Sequence, residues 1–367
     1  MFHRVVLVLF LVIFGVRVEA QGKGASFARS GQDVFTVTLG RSGAINFSEI
    51  RRGKSARGAI AKARSISAVQ RLRGAMLAPM TKSLLSRGTP YVFYVDAKSR
   101  ALSVAIRKSG KWLIEKIDRV KRVANQFSVT PCGSKVCASF YDTASGQVFI
   151  AEGSSKRWSV SPVPSSGRGV VTSIGRSARG DIAVMQHAPE SGEVSLALRS
   201  AGRWINEETP VSERSPVFQS SLRFDKSGTL YAAVNVGSGL ETPRYGTVYL
   251  LIREPDGSWR AGRVSQGFVG NEAAIALTNG GRPVLSFQRT LRQNGAVTRW
   301  SEFAELATNG VWHRLRYPSS AASGTITLTA SADRVVLSTN GPDLVTLTLQ
   351  QIGASLVPIK EVEVPIQ

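Results

Sequence analysis

Lys108-Ser109-Gly110-Lys111-Trp112 returns four times along the chain, as Ser154-Ser155-Lys156-Arg157-Trp158, Ser200-Ala201-Gly202-Arg203-Trp204, Pro255-Asp256-Gly257-Ser258-Trp259 and Thr308-Asn309-Gly310-Val311-Trp312. The five tryptophans lie 46, 46, 55 and 53 residues apart. A further copy, Ile352-Gly353-Ala354-Ser355-Leu356, follows after 44 residues with Leu in place of Trp. A period of this length, built from strands and small-residue turns, is the mark of a propeller blade.

Working outward from each Trp, every unit reads as three strong strands preceded by a weaker one. The first runs through Tyr91 to Val95, Ala101 to Ile106 and Trp112 to Ile117. β-branched and aromatic residues fill such runs, and Gly, Ser, Asn and Asp fill the gaps. Leading strands are expected at Gln126 to Thr130, Val170 to Ile174, Ser220 to Phe224, Glu272 to Leu277 and Thr325 to Thr329. A lone four-stranded meander buries little, but meanders stacked around an axis bury both faces. The repeated Trp then reads as a flat side chain wedged against a neighbouring blade. A ring of exposed aromatic platforms for sugars is the alternative.

The expected fold is therefore an all-β propeller of six or seven blades over residues 89–367, with a basic insertion before it. A hairpin, Val34 to Leu39 and Arg41 to Ile50, repeats the Ser-Gly turn. It is expected to complete a composite blade with the last strand, Glu361 to Ile366. Six blades with an N-terminal appendage is the competing arrangement. Residues 21–88 thus hold the closing hairpin and the insertion.

Residues 1–20 read as a secretory signal peptide. Arg4 precedes an apolar run from Val5 to Val16, and Val18-Glu19-Ala20 offers small-residue spacing for cleavage. The run is short for a bilayer span, and no later stretch is long enough, so no transmembrane span is expected after cleavage. The location implied is exported, periplasmic or extracellular. Cys132 and Cys137 are the only cysteines. In an oxidising compartment they would close a small loop as a disulfide. Free thiols are the alternative, and a metal site is disfavoured because His187 and His313 are distant in sequence.

The formal charge is +22, with 47 Lys and Arg against 25 Asp and Glu. No acid occurs between Glu49 and Asp96, a span that includes Arg51, Arg52, Lys54, Arg57, Arg71 and Arg73. Ala59 to Met80 within it is rich in Ala, Leu and Arg and is expected to form a short amphipathic helix. A solvated face is one reading of the charge; salt-dependent contact with a polyanion is the other. For an exported protein the polyanion would be an envelope component rather than chromosomal DNA. Aromatic residues do not alternate with these charges, so a single-strand stacking platform is not indicated.

Aligned units place one polar residue near the end of each second strand: Asp96, Asp142, His187, Asn235, Arg289 and Asn340. In a propeller those ends share one rim beside the central channel, which makes this ring the candidate ligand site. Turn formation by Asp and Asn is the competing explanation.

Pro255-Asp256-Gly257-Ser258-Trp259 resembles the turn of sialidase-type propeller repeats, whose form is Ser-x-Asp-x-Gly-x-Thr-Trp. The likeness covers about residues 89 to 362, at the level of the repeat. The leading Ser is missing, Asp256 adjoins Gly257, and Ser258 stands for Thr. The resemblance implies three arginines on a substrate carboxylate, a Tyr/Glu nucleophilic pair and an Asp acid/base. Arg223, Arg244, Arg289, Tyr245, Glu272 and Asp142 are of the right types, but no motif places them. Gly-x-Ser-x-Gly, His-Glu-x-x-His and phosphate-binding Gly-rich signatures are absent, and no cofactor is implied. The expected function is a non-enzymatic binding or scaffold module for an envelope glycan, a polyanion or a partner protein. The alternative is a sialidase-like glycoside hydrolase.

Overall fold

The computed structural model describes residues 24–365 apart from short segments between strands. The signal segment, residues 1–20, lies outside the described residues. All regular structure among the described residues is antiparallel β-sheet. No helix among them is long and apolar enough to cross a membrane.

The first sheet is a meander of β1 (Gly24–Ser30), β2 (Asp33–Leu39), β3 (Ala44–Arg51) and β4 (Lys54–Lys62). A small hairpin of β5 (Gln70–Leu72) and β6 (Ala75–Leu77) follows. The second meander is β7 (Thr81–Ser86), β8 (Thr89–Val95), β9 (Leu102–Lys108) and β10 (Lys111–Lys116). The third comprises β11 (Val123–Cys132), β12 (Lys135–Asp142), β13 (Gln147–Ser154) and β14 (Arg157–Pro162). The fourth comprises β15 (Val171–Arg176), β16 (Ile182–Ala188), β17 (Glu193–Ser200) and β18 (Arg203–Glu208).

The next seven strands are hydrogen-bonded in chain order. They are β19 (Val217–Phe224), β20 (Leu230–Gly237), β21 (Arg244–Arg253), β22 (Trp259–Leu277), β23 (Pro283–Gln293), β24 (Ala296–Leu306) and β25 (Trp312–Pro318). The long strand β22 pairs with β21 up to Val269 and with β23 from Val269 onward. It thereby closes one four-stranded meander and opens the next. The last meander is β26 (Ile326–Ser331), β27 (Arg334–Asn340), β28 (Asp343–Ile352) and β29 (Ser355–Pro365). The opening strands touch in succession: β1 meets β7, then β7 meets β11, β11 meets β15, β15 meets β19, β19 meets β22, and β22 meets β26. Strand β26 in turn lies against β1.

Three expectations for the N-terminal region are corrected. The hairpin of β2 and β3 is not completed by the C-terminal strand. Its partners are β1 and β4, while β29 pairs with β28. Within the segment from Ala59 to Met80 the described residues form no helix but the end of β4, then β5 and β6; residues 65–69, 73–74 and 78–79 are outside the described residues. Ala, Lys and Arg give β4 a helical composition, yet pairing with β3 along its whole length overrides that preference. Ile60 turns inward and is buried, while Lys54, Arg57 and Ala59 are exposed. The second meander also starts earlier than residue 89, because β7 belongs to it.

The cores lie between successive sheets. Phe93, Val95, Leu102, Val104 and Ile106 of the second sheet pack with Val136, Ala138, Phe140 and Ala151 of the third. Each Trp that begins a fourth strand packs on the sheet before its own. Trp112 stands against Phe35 and Phe47, with ring centroids at 5.9 and 5.3 Å. Trp158 meets Phe93 edge-on at 5.8 Å and donates its indole N–H to Glu115 Oε2 at 3.0 Å. Trp259 donates to Glu207 Oε2 at 3.1 Å. Trp204 and Trp312 cover the two intervening cores.

An arginine stands opposite the Trp in three of these hairpins: Arg107, Arg199 and Arg253 pair in register with Trp112, Trp204 and Trp259. Each reaches a glutamate of the preceding sheet. Arg107 binds Glu49, Arg199 binds Glu152 at 2.5 Å, and Arg253 binds Glu207 through two hydrogen bonds of 2.5 and 2.7 Å. The Arg253–Glu207 pair is bidentate and part-buried, which fixes geometry as well as adding energy. In the third sheet Gly153 takes the arginine's place. A Cβ there would sit 2.6 Å from the Trp158 ring, so the indole fills that space itself.

Cys132 and Cys137 form a disulfide across the turn between β11 and β12, with Cα atoms 5.7 Å apart. Closing so short a loop removes little chain entropy, about 2 kcal/mol. Replacing both cysteines with serine is expected to lower the unfolding free energy by about that amount. A urea titration that matched the wild type would contradict this.

Candidate functional site

The turn between second and third strands recurs at the same end of each meander; Asp96, Asp142, His187, Asn235 and Asn340 lie at or next to it, while Arg289 lies within β23, short of its end at Gln293. In two of them the side chain builds the turn. Asp96 Oδ1 accepts the backbone N–H of Ser99 at 2.7 Å, its hydroxyl at 2.8 Å and the N–H of Lys98 at 3.1 Å. Asp142 Oδ2 accepts the N–H and hydroxyl of Ser145 at 3.0 and 2.7 Å. Burial pushes the Asp96 carboxyl up, but the Ser99 and Lys98 hydrogen bonds outweigh it and hold the group below its usual range.

His187, on β16, is fully buried. Its Nε2 lies 2.7 Å from the Ser220 hydroxyl on β19, and that hydroxyl meets Ser173 on β15. The imidazole therefore ties the fourth meander to the fifth. Loss of solvent pushes its pKa down to about 3. Asn235, on β20, is buried opposite Gln219 of β19. Arg289, on β23, donates to the Gln266 carbonyl at 2.7 Å, crossing beside Gly267. Gly267 has φ of 129°, and a Cβ there would meet Arg289 Nη1 at 2.9 Å. Asn340 ends β27, and its side chain is outside the described residues.

The arginines suggested by the sialidase-type resemblance do not all share an end. Arg223 is exposed and pairs with Tyr231 where β20 begins, whereas Arg289 lies past the middle of β23, toward its far end. The side chains of Arg244, Tyr245 and Glu272 lie outside the described residues. No cluster of three or more His, Cys, Asp or Glu suited to a metal occurs among the described residues.

A cleft of about 180 Å³ opens at this same end of the fourth meander. Sequence reasoning missed it. Gln186, Ser195 and Glu208 line it and stand in one row across β16, β17 and β18. Glu193, two residues before Ser195, adds a second carboxylate, and Gly169 forms part of the wall. A Cβ on Gly169 would come within 2.8 Å of the Gln186 Cβ, so only glycine fits there. The signal was the alternation Glu193-x-Ser195 facing Glu208 in a chain poor in acids.

The basic candidates are spread along an edge. The order β1-β2-β3-β4 makes β4 the outer strand, and Lys54 and Arg57 are exposed on it. Lys and Arg on an edge strand oppose edge-to-edge pairing with another chain. Arg51 and Arg71 lie on β3 and β5 with their side chains outside the described residues. Arg52 and Arg73 are outside the described residues altogether.

No protein-family model matches the chain, and no curated protein does. Solved structures do. The chain is similar to a puromycin-hydrolyzing peptidase of Mycobacterium tuberculosis at TM-score 0.58 and 14% identity, over 92% of this chain and 52% of that one. It thus spans about half of that protein's length. It is similar to an ulvanlyase, a polysaccharide lyase, at TM-score 0.55 and 13% identity, over 96% of this chain and 93% of that one. It is similar to the SapL1 lectin, solved with alpha methyl fucoside, at TM-score 0.51 and 15% identity, over 84% of this chain and 100% of that one. Likeness at such identities speaks for architecture alone, and the architecture is all-β and β-propeller-like.

Proposed function

We propose that the protein is an exported, non-enzymatic propeller of seven blades that binds an envelope glycan through the end of the sheets where second strands finish. Seven blades are supported by the succession of opening strands from β1 to β26 and the contact of β26 with β1. The long β22 accounts for two of them by crossing from one blade to the next. Export is supported by the disulfide, since such bonds persist in oxidising compartments, and by the signal-like first twenty residues.

The observation that carries the binding reading is the cleft over β15–β18, which gathers polar side chains at the rim. The lectin and the polysaccharide lyase show that sugars are handled on this architecture, which makes a glycan the ligand of choice. The basic edge with Lys54 and Arg57 adds salt-dependent affinity for acidic envelope polymers. The test is a glycan array with the mature protein, run beside a heparin column. Specific array binding is expected, with elution from heparin only at raised salt. An empty array would refute glycan recognition, and elution at low salt would refute the polyanion contribution.

A further inference from the structure

The end of the sheets opposite the rim is built from the turns between first and second and between third and fourth strands. In the second to fourth sheets five of these turns hold only two residues: Arg87-Gly88, Ser109-Gly110, Gly133-Ser134, Ser155-Lys156 and Ala201-Gly202. Arg87, Ser109 and Ala201 have φ of 50, 48 and 48°, and the glycines after them 74, 79 and 79°. Such left-handed pairs make type I′ turns, the shortest hairpin connection. No loop overhangs them, so the side chains at and beside them stand at one level.

Those side chains are cations. The second sheet presents Arg87, Lys108 and Lys111, all exposed. The third presents Lys135, Lys156 and Arg157, and the fourth Arg203, exposed likewise. None of them forms an ion pair among the described residues. The nearby glutamates are spent elsewhere: Glu49 and Glu152 hold Arg107 and Arg199, and Glu115 holds the Trp158 indole and the Lys156 N–H. Asp181 is the one acid among the described residues of these turns, and it accepts the hydroxyls of Ser177 and Ser200 at 2.8 and 2.7 Å. The turns adjoin across sheets, since a Cβ on Gly133 would come 3.6 Å from the Arg176 guanidinium at the end of β15. The fifth and sixth sheets differ at this end. Asp225, Glu254, Asp256 and Glu305 stand there, and Arg253, Arg260 and Arg282 each pair with a glutamate.

From this segregation of charge we infer that the turn end of the second to fourth sheets is a docking face for an anionic lipid surface. It is a separate site from the glycan rim and does not rest on that reading. With strands ~4.8 Å and sheets ~10 Å apart, the cations spread over about 14 Å along each sheet and about 20 Å across the three. That is a plane of charge, not a row, and it has no groove for a linear polymer to follow. A bilayer meets a plane all at once. Neighbouring cations lie within about one or two Debye lengths of each other, so they act on the surface together. Each Lys or Arg brought to an anionic leaflet strengthens binding about fivefold. Docked this way, the protein holds the opposite rim away from the lipid.

The experiment is co-sedimentation of the mature protein with vesicles of phosphatidylcholine alone and of phosphatidylcholine mixed equally with phosphatidylglycerol. Two variants lose the same charge at opposite ends. Lys108→Gln/Lys111→Gln/Lys135→Gln/Arg203→Gln strips the face, and Lys98→Gln/Arg100→Gln/Lys116→Gln/Arg122→Gln strips exposed cations at the rim end. The wild type is expected to bind the mixed vesicles, to ignore the neutral ones and to be released by raised salt. The face variant is expected to bind at least about a hundredfold more weakly, and the rim-end variant within about fivefold of the wild type. Urea unfolding checks that both are folded; should the first fail, Lys135→Gln/Arg203→Gln alone is expected to lose about twentyfold. Equal losses in the two four-site variants would trace the binding to net charge and overturn the inference. So would equal binding of neutral and anionic vesicles. A wild type that ignores both vesicles, yet holds heparin through the face, would assign the face to a soluble polymer instead.

Discussion

Replacing Trp259 with alanine is expected to lower the unfolding free energy by about 2–3 kcal/mol, below the 3–5 typical of a fully buried Trp. The ring is half-buried between two sheets, and its N–H holds the same Glu207 carboxylate that Arg253 grips. Part of the loss is packing and part is a charge-assisted hydrogen bond. Trp259→Phe separates them, keeping most of the aromatic contact and costing about 1 kcal/mol for the missing donor. Glu207→Ala is expected to cost more than Trp259→Phe, because it strands the part-buried Arg253 guanidinium. Urea unfolding of the two alanine variants and their double variant gives the coupling, expected at about 0.5–3 kcal/mol. Strict additivity would show that the two side chains do not act together.

The second large effect is on pH. The His187 imidazole has its pKa pushed from 6.5 down to about 3 by burial. Between those values the unfolded chain binds a proton that the folded chain refuses. Unfolding is therefore favoured as pH falls, and the neutral imidazole contributes its full stability only above about pH 6.5. At pH 5 the expected loss from this group is about 2 kcal/mol relative to pH 7, at ~1.4 kcal/mol per pH unit. His187→Gln keeps an amide able to hydrogen-bond Ser220 and removes the titration, so its stability profile over pH 7 to 5 is expected to be flatter. A resonance assigned to the His187 imidazole that titrates near pH 6.5 in the folded protein would contradict the burial argument, whether or not the variant folds.

Much of the fold was legible because Trp at regular spacing marks the fourth strands, and near-continuous apolar runs mark the second and third. The opening strands from β11 onward were read within a few residues. The first sheet was harder. Strand β1, Gly24–Ser30, has little β propensity, and β4 carries helix-forming residues. Only pairing with β2 and β3 makes them strands, and no local pattern carries that information. At the candidate site the sequence located the level of the rim but not the use of its side chains. Asp96 and Asp142 share an Asp-x-x-Ser motif that already spelled a turn. His187 differs because it is sealed between β15, β16 and β19, which a linear reading does not reveal. Arginines five or six residues ahead of Trp112, Trp204 and Trp259 were visible, but their glutamate partners sit on another sheet.

That each indole covers the sheet before its own sets a direction for assembly. Glu207 receives Trp259 from 52 residues downstream, and Glu115 receives Trp158 from 43. As the chain emerges from its N-terminus, the newest sheet always presents one uncovered apolar face. That face stays open until the following repeat is nearly complete. A chain halted part-way thus carries a sticky leading surface at whatever point it stops, a surface that the next repeat covers at the joints among the described residues.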